Sequence, residues 1–396
     1  MDQETYIKDK IRGSLMAAAA GDALGYAVEF IDKSTIDKLY GSDGITAFEL
    51  NGGKALISDD TQMSLFTANG LLMGVTRCAM RGIGSRPEEY VYVAYRDWYY
   101  TQTRDKRIED SYSWLRALPQ MYSLRAPGIT CMNACESIVQ RDEPQNNSKG
   151  CGGIMRVAPI ALLHSGYIAR ARRFYTHEEL ARAGVTIARC THKHPLGFLP
   201  AALLTLLLAE IITMSPEEVA LRIESVVAKC LSVVGELYGV EYRDDVLYLE
   251  ELTQRALRVA HSHLTDVEAI SLLGQGWTAD EAWAIALYCA VRHIDSVERA
   301  IIAAVNHDGD SDSTGSICGN VMGAIYGYNH IAERSIFCPT GRSLEQTLEL
   351  SDVILAIADD LSTSCFISEY DALDTPEKQQ WFERYCEMKP SGIRQM

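Results

Sequence analysis

Two segments near opposite ends of the chain carry a small residue at every fourth position. Gly13, Ala17, Gly21 and Gly25 form one series; Gly315, Gly319, Gly323 and Gly327 form the other. Residues four apart share one face of an α-helix, so each series is a stripe that admits a second backbone at close range. Each glycine inside a helix costs about 0.5–1 kcal/mol relative to alanine. A chain that repeats this cost requires the close approach. The stripes therefore predict two helices packed deep inside a helical core.

The rest of the chain agrees. Apolar spacing predicts helices over 6–28, 61–75, 87–100, 178–190, 196–212, 216–237, 246–261, 279–291, 296–305, 313–328 and 343–361. Ser215 before Pro216, Glu217 and Glu218, and Thr278 before Asp280 and Glu281, mark helix starts. Alternating, strand-like runs are few, so the class is all-α. No Pro/Gly/Ser-rich linker divides the chain. The expectation is one compact, single-domain orthogonal helical bundle over 1–396, with 331–396 as peripheral C-terminal helices. The polar, glycine-containing loops 51–60, 124–131, 141–153 and 305–313 carry most of the candidate chemistry at one end of it. The apolar run 198–214 contains Pro200 and Glu210 and reads as a buried core helix, not a membrane span.

Charge and cysteine usage narrow the function classes. A formal net charge of -16 argues against a general nucleic-acid binder, which needs a basic face. Eleven scattered cysteines, with no CxxC pair, read as reduced thiols of a cytoplasmic protein and not as a zinc site. The opening "MDQETYIKDK" lacks the apolar core of a signal peptide. A monomer without membrane attachment is expected.

The second stripe is preceded by acids, in "NHDGDSDSTGSICGNVMGAIYG" (306–327). A calcium loop starting at Asp308 would need glycine at its sixth position and glutamate at its twelfth; Ser313 and Gly319 stand there. Asp310-Ser311-Asp312-Ser313-Thr314 also fits the DxDxT nucleophile motif of haloacid-dehalogenase-type phosphatases. That motif ends a strand of a parallel sheet, which a helical chain does not supply. The third reading is half of a metal site at a helix start. A matching half exists: Ser58, Asp59 and Asp60 in "ISDDTQMS". Carboxylate and hydroxyl oxygens suit hard divalent cations, and two such clusters could hold two Mg²⁺. Either cluster alone also reads as an ordinary helix cap.

The motifs "GDALGYAVEF", "SDDTQM", "RAPGITC", "SKGCGGIMRVAPIAL", "THKHPLG" and "NHDGDSDSTGSICGNVMGAIYG" occur in this order. Over about residues 11–327 the chain resembles the ADP-ribosylglycohydrolases, the family of dinitrogenase-reductase-activating glycohydrolase and the ADP-ribosylhydrolases. The resemblance implies a compact α-helical enzyme with a two-magnesium centre, Mn²⁺ being a substitute. The cleft would be formed by loops and helix N-termini. The enzyme would cleave the glycosidic bond between ADP-ribose and an acceptor. Ser58, Asp59, Asp60, Asp310, Asp312 and Ser313 would then bind metal. Asp60 or Asp312 would orient the attacking water, and Glu29 would lie at the scissile ribose. Gly128 would hold the diphosphate, Ser148, Gly150 and Gly152 would line the ADP-ribose, and His192 would contact the phosphates. Two departures stand out: His307-Asp308-Gly309-Asp310 where the family often has Gly-Gly-Asp, and Cys151 where some relatives carry asparagine.

ADP-ribosyl-arginine on protein is the first expectation for the substrate, followed by ADP-ribosyl-serine or O-acetyl-ADP-ribose, with modified nucleic acid a remote fourth. Partners would be an ADP-ribosylated protein or a small ADP-ribose conjugate. Other classes stay open. A non-enzymatic relative, like certain lens crystallins, would be marked by lost metal ligands. An immunity protein that neutralises an ADP-ribosylating toxin would need an extra surface element, such as 331–396 or 77–87. Asp22 reads as structural, and Arg156 as a loop brace.

Overall fold

The computed structural model describes residues 2–84, 86–104, 110–172, 174–334, 336–339, 341–364, 367, 373–386 and 389–390. Its helices are α1 (Gln3–Tyr26), α2 (Lys33–Tyr40), α3 (Asp59–Met80), α4 (Val91–Gln102), α5 (Ile129–Gln140), α6 (Ala158–Ala169), α7 (His177–Arg189), α8 (Pro195–Ile211) and α9 (Pro216–Tyr238). They continue with α10 (Arg243–Ala260), α11 (Asp266–Ser271), α12 (Ala279–Arg292), α13 (Val297–Val305), α14 (Ser311–Tyr326), α15 (Tyr328–Arg334), α16 (Leu344–Thr347), α17 (Ser351–Thr363) and α18 (Pro376–Tyr385). Among the described residues the only strands are two-residue segments, Asp110–Ser111 and Lys389–Pro390, paired antiparallel. The fold is all-α and forms one compact domain.

The two small-residue stripes are the two halves of one interface. A Cβ added to Gly21 would lie 2.1 Å from the Gly315 carbonyl oxygen. One on Gly319 would lie 2.2 Å from that of Ala17, one on Gly323 2.1 Å from that of Gly13, and one on Gly25 2.3 Å from that of Ser311. Helices α1 and α14 therefore run antiparallel with backbones in contact, and no side chain larger than hydrogen fits at these crossings. The end of α1 is thereby set against the start of α14. Helices α6 and α17 pack on α1, and α12 and α13 on α14.

Helix starts follow local chemistry. Ser215 and Glu218 form a capping box on α9, with Pro216 in the first turn. Thr278 sits at the N-cap of α12 without a side-chain cap; the Ala279 N–H donates instead to the Lys149 carbonyl, 2.8 Å away. Helices α3 and α14 each begin two residues before the expected 61 and 313, because Ser58 and Asp310 are their caps.

Three expectations change. The stretch 87–100 opens as a 3₁₀ turn, Pro87–Tyr90, before α4. The stretch 343–361 is two helices, α16 and α17, interrupted where Leu350 adopts a left-handed φ of 57°. The region after Ile331 is not wholly peripheral: Leu344, Leu348, Ile357, Ala358 and Leu361 are fully buried. Helix α6 escaped the spacing rule because it has no polar face to alternate with; every residue from Ala158 to Leu163 is buried. The run 198–214 lies largely in α8, buried from Leu196 to Leu208. Among the described residues no helix is long and apolar enough to cross a membrane.

Candidate active site

The two acid clusters cap their helices and meet in the same act. The Ser58 hydroxyl accepts the Asp60 N–H at 3.2 Å. The Asp310 Oδ1 accepts the Ser313 N–H at 3.2 Å. Asp59 and Asp60 fall in the first turn of α3, and Asp312 in that of α14, where the helix dipole favours negative charge. Both clusters thus act as helix caps, as either reads when taken alone.

Asp22, in the middle of α1, positions α3. Its Oδ1 accepts the Ser58 N–H at 2.9 Å, and its Oδ2 accepts the Thr61 N–H at 3.1 Å and the Thr61 hydroxyl. The brace role expected of Arg156 also holds. It is fully buried and donates to the Thr191 hydroxyl and the Cys131 sulfur.

Glu29, just beyond the end of α1, turns inward and is 8% exposed. Carboxylate oxygens of Glu29, Asp310 and Asp312 lie within 4.8 Å of one another. Glu29 Oε2 and Asp60 Oδ2 are buried without a hydrogen-bond partner. Among the described residues no lysine or arginine forms an ion pair with these acids; Arg125, in the 124–131 loop, pairs with Glu349 instead.

The electrostatics follow from this crowding. Burial pushes Asp60 far above the usual carboxylate range, reinforced by Asp22, Asp59, Asp310 and Glu29. Burial, then Asp60, Asp310 and Glu29, does the same to Asp312. Asp59 rises through burial against the restraint of the Gly128 N–H. Burial with Asp310, Asp59 and Asp22 lifts Glu29 to about 9. Burial lifts Asp22 to about 6 in spite of its hydrogen bonds. These carboxylates therefore lack a compensating positive charge.

The remaining candidate residues border the cluster. The Gly128 N–H points at Asp59 Oδ2 at 3.4 Å, and Gly128 is the N-cap of α5. The Ser148 hydroxyl accepts the Gly150 N–H at 3.2 Å and lies 3.2 Å from the Thr130 hydroxyl. His192 is 2% exposed, and its Nδ1 lies 2.8 Å from the Thr191 hydroxyl. Burial, then Arg156, lowers His192 to about 3, so it is neutral. Gly150 and Gly152 lie against the His192 ring: an added Cβ would be 3.0 Å from its Nε2 at Gly150 and 2.8 Å from its Cε1 at Gly152. Ser58 and Ser313 are buried beside the acids, the Ser313 hydroxyl 4.0 Å from the Met155 sulfur.

The two departures have defined places. Cys151 directs its sulfur to Asp310 Oδ2 at 2.7 Å. In the 306–310 loop the retained Gly309 is the essential one: its φ is 126°, and a Cβ would lie 2.0 Å from the Gln275 carbonyl oxygen. That same carbonyl accepts the Asp310 N–H at 2.8 Å. His307 Nε2 contacts the Thr314 hydroxyl at 2.9 Å. Asp308 is exposed and accepts the Lys33 N–H at 2.6 Å, away from the cluster. Sequence reasoning missed the segment Gln275–Trp277, which props the Asp310 loop, and Glu349, whose carboxylate accepts the Ile57 N–H at 3.3 Å. Neither lies in an acid-rich or glycine-striped run, so no local signal marks them.

Comparison with known proteins agrees with this geometry. The profile of the family described as ADP-ribosylglycohydrolase matches residues 3–368. The ADP-ribosyl-[dinitrogen reductase] glycohydrolase of Rhodospirillum rubrum is 25% identical over 341 residues, 82% of this chain and 88% of that protein. The ADP-ribosylarginine hydrolase Tri1 of Serratia proteamaculans is 24% identical over 334 residues, 82% of this chain and 73% of that protein. A solved structure titled "ADP-ribosylglycohydrolase-related protein complex" superposes with a TM-score of 0.55 at 21% identity, covering 91% of this chain and 99% of that one, and shares the fold. Taken with the paired acid clusters, the match over nearly the whole length settles the kinship: this chain belongs to the ADP-ribosylglycohydrolase family.

Proposed function

We propose that the protein is a magnesium-dependent hydrolase that cleaves the glycosidic bond between ADP-ribose and an acceptor, with ADP-ribosyl-arginine on protein as its substrate, so reversing mono-ADP-ribosylation in the cytoplasm. One observation carries this reading. Carboxylate oxygens of Glu29, Asp310 and Asp312 lie within 4.8 Å of one another, Asp59 and Asp60 are buried close enough to feel their charge, one oxygen each of Glu29 and Asp60 lacks a partner, and among the described residues no lysine or arginine pairs with any of the five. An all-oxygen donor set of this kind fits hard divalent cations. Ser58, Asp59 and Asp60 would hold one side of a two-ion centre and Asp310, Asp312 and Ser313 the other, for Mg²⁺ or, in its place, Mn²⁺. When bound, the ions supply Lewis acidity toward hydroxyl and water oxygens.

The chain's own residues do the rest. Asp60 or Asp312 accepts a proton from the attacking water. Cleavage at the anomeric carbon develops positive charge on the ribose, and the unpartnered Glu29 oxygen is available to stabilise it. The start of α5 at Gly128 presents backbone N–H groups to the diphosphate. Ser148 and the side-chain-free Gly150 and Gly152 line the ADP-ribose, and neutral His192 contacts its phosphates. The arginine acceptor is supported by the activity named for the Serratia relative. All six ligand-type side chains are present, which favours an enzyme over a binding-only protein.

Initial rates on ADP-ribosyl-arginine, ADP-ribosyl-serine and O-acetyl-ADP-ribose, with Mg²⁺ and with EDTA, test the reading. Mg²⁺-dependent release of ADP-ribose from the arginine conjugate is expected. Asp60→Ala, Asp312→Ala and Glu29→Ala should each lower kcat by about 100-fold or more. Near-wild-type rates in both aspartate variants would overturn the assignment of the centre, and no activity on any conjugate would overturn the enzyme.

A further inference from the structure

Beside the acid cluster lies a pair of aromatic rings that the reaction as described does not use. Phe30 directly follows Glu29, and it is 70% exposed. Trp277 is 41% exposed, and the two rings lie near-parallel, with centroids 6.2 Å apart and planes 24° apart. Leaving rings of this size in water forfeits apolar burial that the core would have provided.

The placement of Trp277 is fixed by backbone contacts on both sides. Its carbonyl accepts the Cys151 N–H at 3.2 Å, and Cys151 in turn touches Asp310. Gly150 and Thr278 pair as an isolated antiparallel bridge. On the other side Gly276, with a φ of 85°, lies so close to the Asp310 loop that a Cβ would be 3.2 Å from the Asp310 carbonyl oxygen. Trp277 is thus mounted on the wall of the acid cluster, and Phe30 on the loop that carries Glu29. The pair thus joins the two segments that carry Glu29 and prop Asp310.

We propose that Phe30 and Trp277 form the acceptor subsite and select a flat, cationic leaving group, a guanidinium, through cation–π contact with their open faces. This rests on the proposed glycohydrolase function. The bond cleaved lies at the acids, so the acceptor leaves next to Glu29, whereas the diphosphate runs toward Gly128 and His192. A guanidinium is weakly hydrated, planar and permanently charged, and it stacks on aromatic faces. A neutral seryl or acetyl acceptor gains no such contact from the rings.

The test compares wild type with Phe30→Leu, Trp277→Leu and Trp277→Phe in saturating Mg²⁺. Three quantities are read: kcat/KM on ADP-ribosyl-arginine, kcat/KM on ADP-ribosyl-serine, and Ki for ADP-ribose, which carries the nucleotide but no acceptor. Both leucine variants should lose about tenfold in kcat/KM on the arginine conjugate, chiefly through KM. Trp277→Phe should keep most of the wild-type value, while the Ki for ADP-ribose stays unchanged in all three. A Ki that weakens in parallel would assign the rings to the nucleotide and overturn the proposal. Unchanged kcat/KM on the arginine conjugate would overturn it as well. A wild-type protein inactive on both conjugates would instead sink the glycohydrolase function, and the subsite with it. Both rings are exposed, so unchanged thermal unfolding will show that the variants are folded.

Discussion

At the scale of single residues, Asp22 shows how one side chain can build a site without belonging to it. Its carboxylate gathers three donors from the first turn of α3, and the acids of that turn point where they do because of it. Asp22→Ala strands buried donors, so urea denaturation should show a loss of about 2–3 kcal/mol. Calorimetric Mg²⁺ affinity should fall too, and an unchanged affinity would mean α3 does not need this brace. Legibility at this scale was uneven for a physical reason. The two Ser-Asp clusters were visible because adjacent acids at a helix start mark them locally, and Glu29 was visible only through the family resemblance. Trp277, Gln275 and Glu349 were not, since their roles come from partners distant in sequence, as when Glu349 reaches Ile57 across 292 positions.

At the scale of elements, the glycine ladder makes a prediction whose sign differs between two glycines. Gly319→Ala places a methyl 2.2 Å from the Ala17 carbonyl oxygen, on a backbone that cannot yield cheaply. The gain in helix propensity is outweighed, and stability should fall by about 2 kcal/mol or more. Gly235, in α9, has nothing within 4 Å of its added Cβ. Gly235→Ala should therefore stabilise by about 0.5–1 kcal/mol. Chemical denaturation of both variants checks the contrast; equal effects would show that the α1–α14 contact is looser than described. Elements with a polar face and a local cap, such as α9, were legible to within a residue or two. Helix α6 was not, because burial on all sides erases the period. The break at Leu350 was not either, since a leucine in a left-handed backbone is imposed by tertiary packing.

For the whole molecule, the acid cluster couples stability to pH and to cations. Glu29, raised to about 9, and Asp59, Asp60 and Asp312, all raised, hold protons in the folded chain that the unfolded chain releases near pH 4. Their contribution is complete below the unfolded values and is lost as pH rises through the folded ones, which for Glu29 is about 9. With EDTA, Tm should accordingly be lower at pH 8.5 than at pH 5. Added Mg²⁺ should raise Tm more at pH 8.5 than at pH 5, because the cation then displaces fewer protons from the carboxylates. An equal Mg²⁺ shift at both pH values would place the cation elsewhere.

The same central pairing has a consequence for the growing polypeptide. Ser14 and its partner Asn320 are 306 positions apart. At roughly 5–20 residues per second, α1 waits about 15–60 s on the ribosome before the strip of backbone it was shaped for exists. Throughout that time α1 presents a stripe of small residues whose partner backbone in α14 has not yet been made. The two halves of the acid cluster can meet only after Asp310 and Asp312 have been made, about 250 residues behind Asp59 and Asp60.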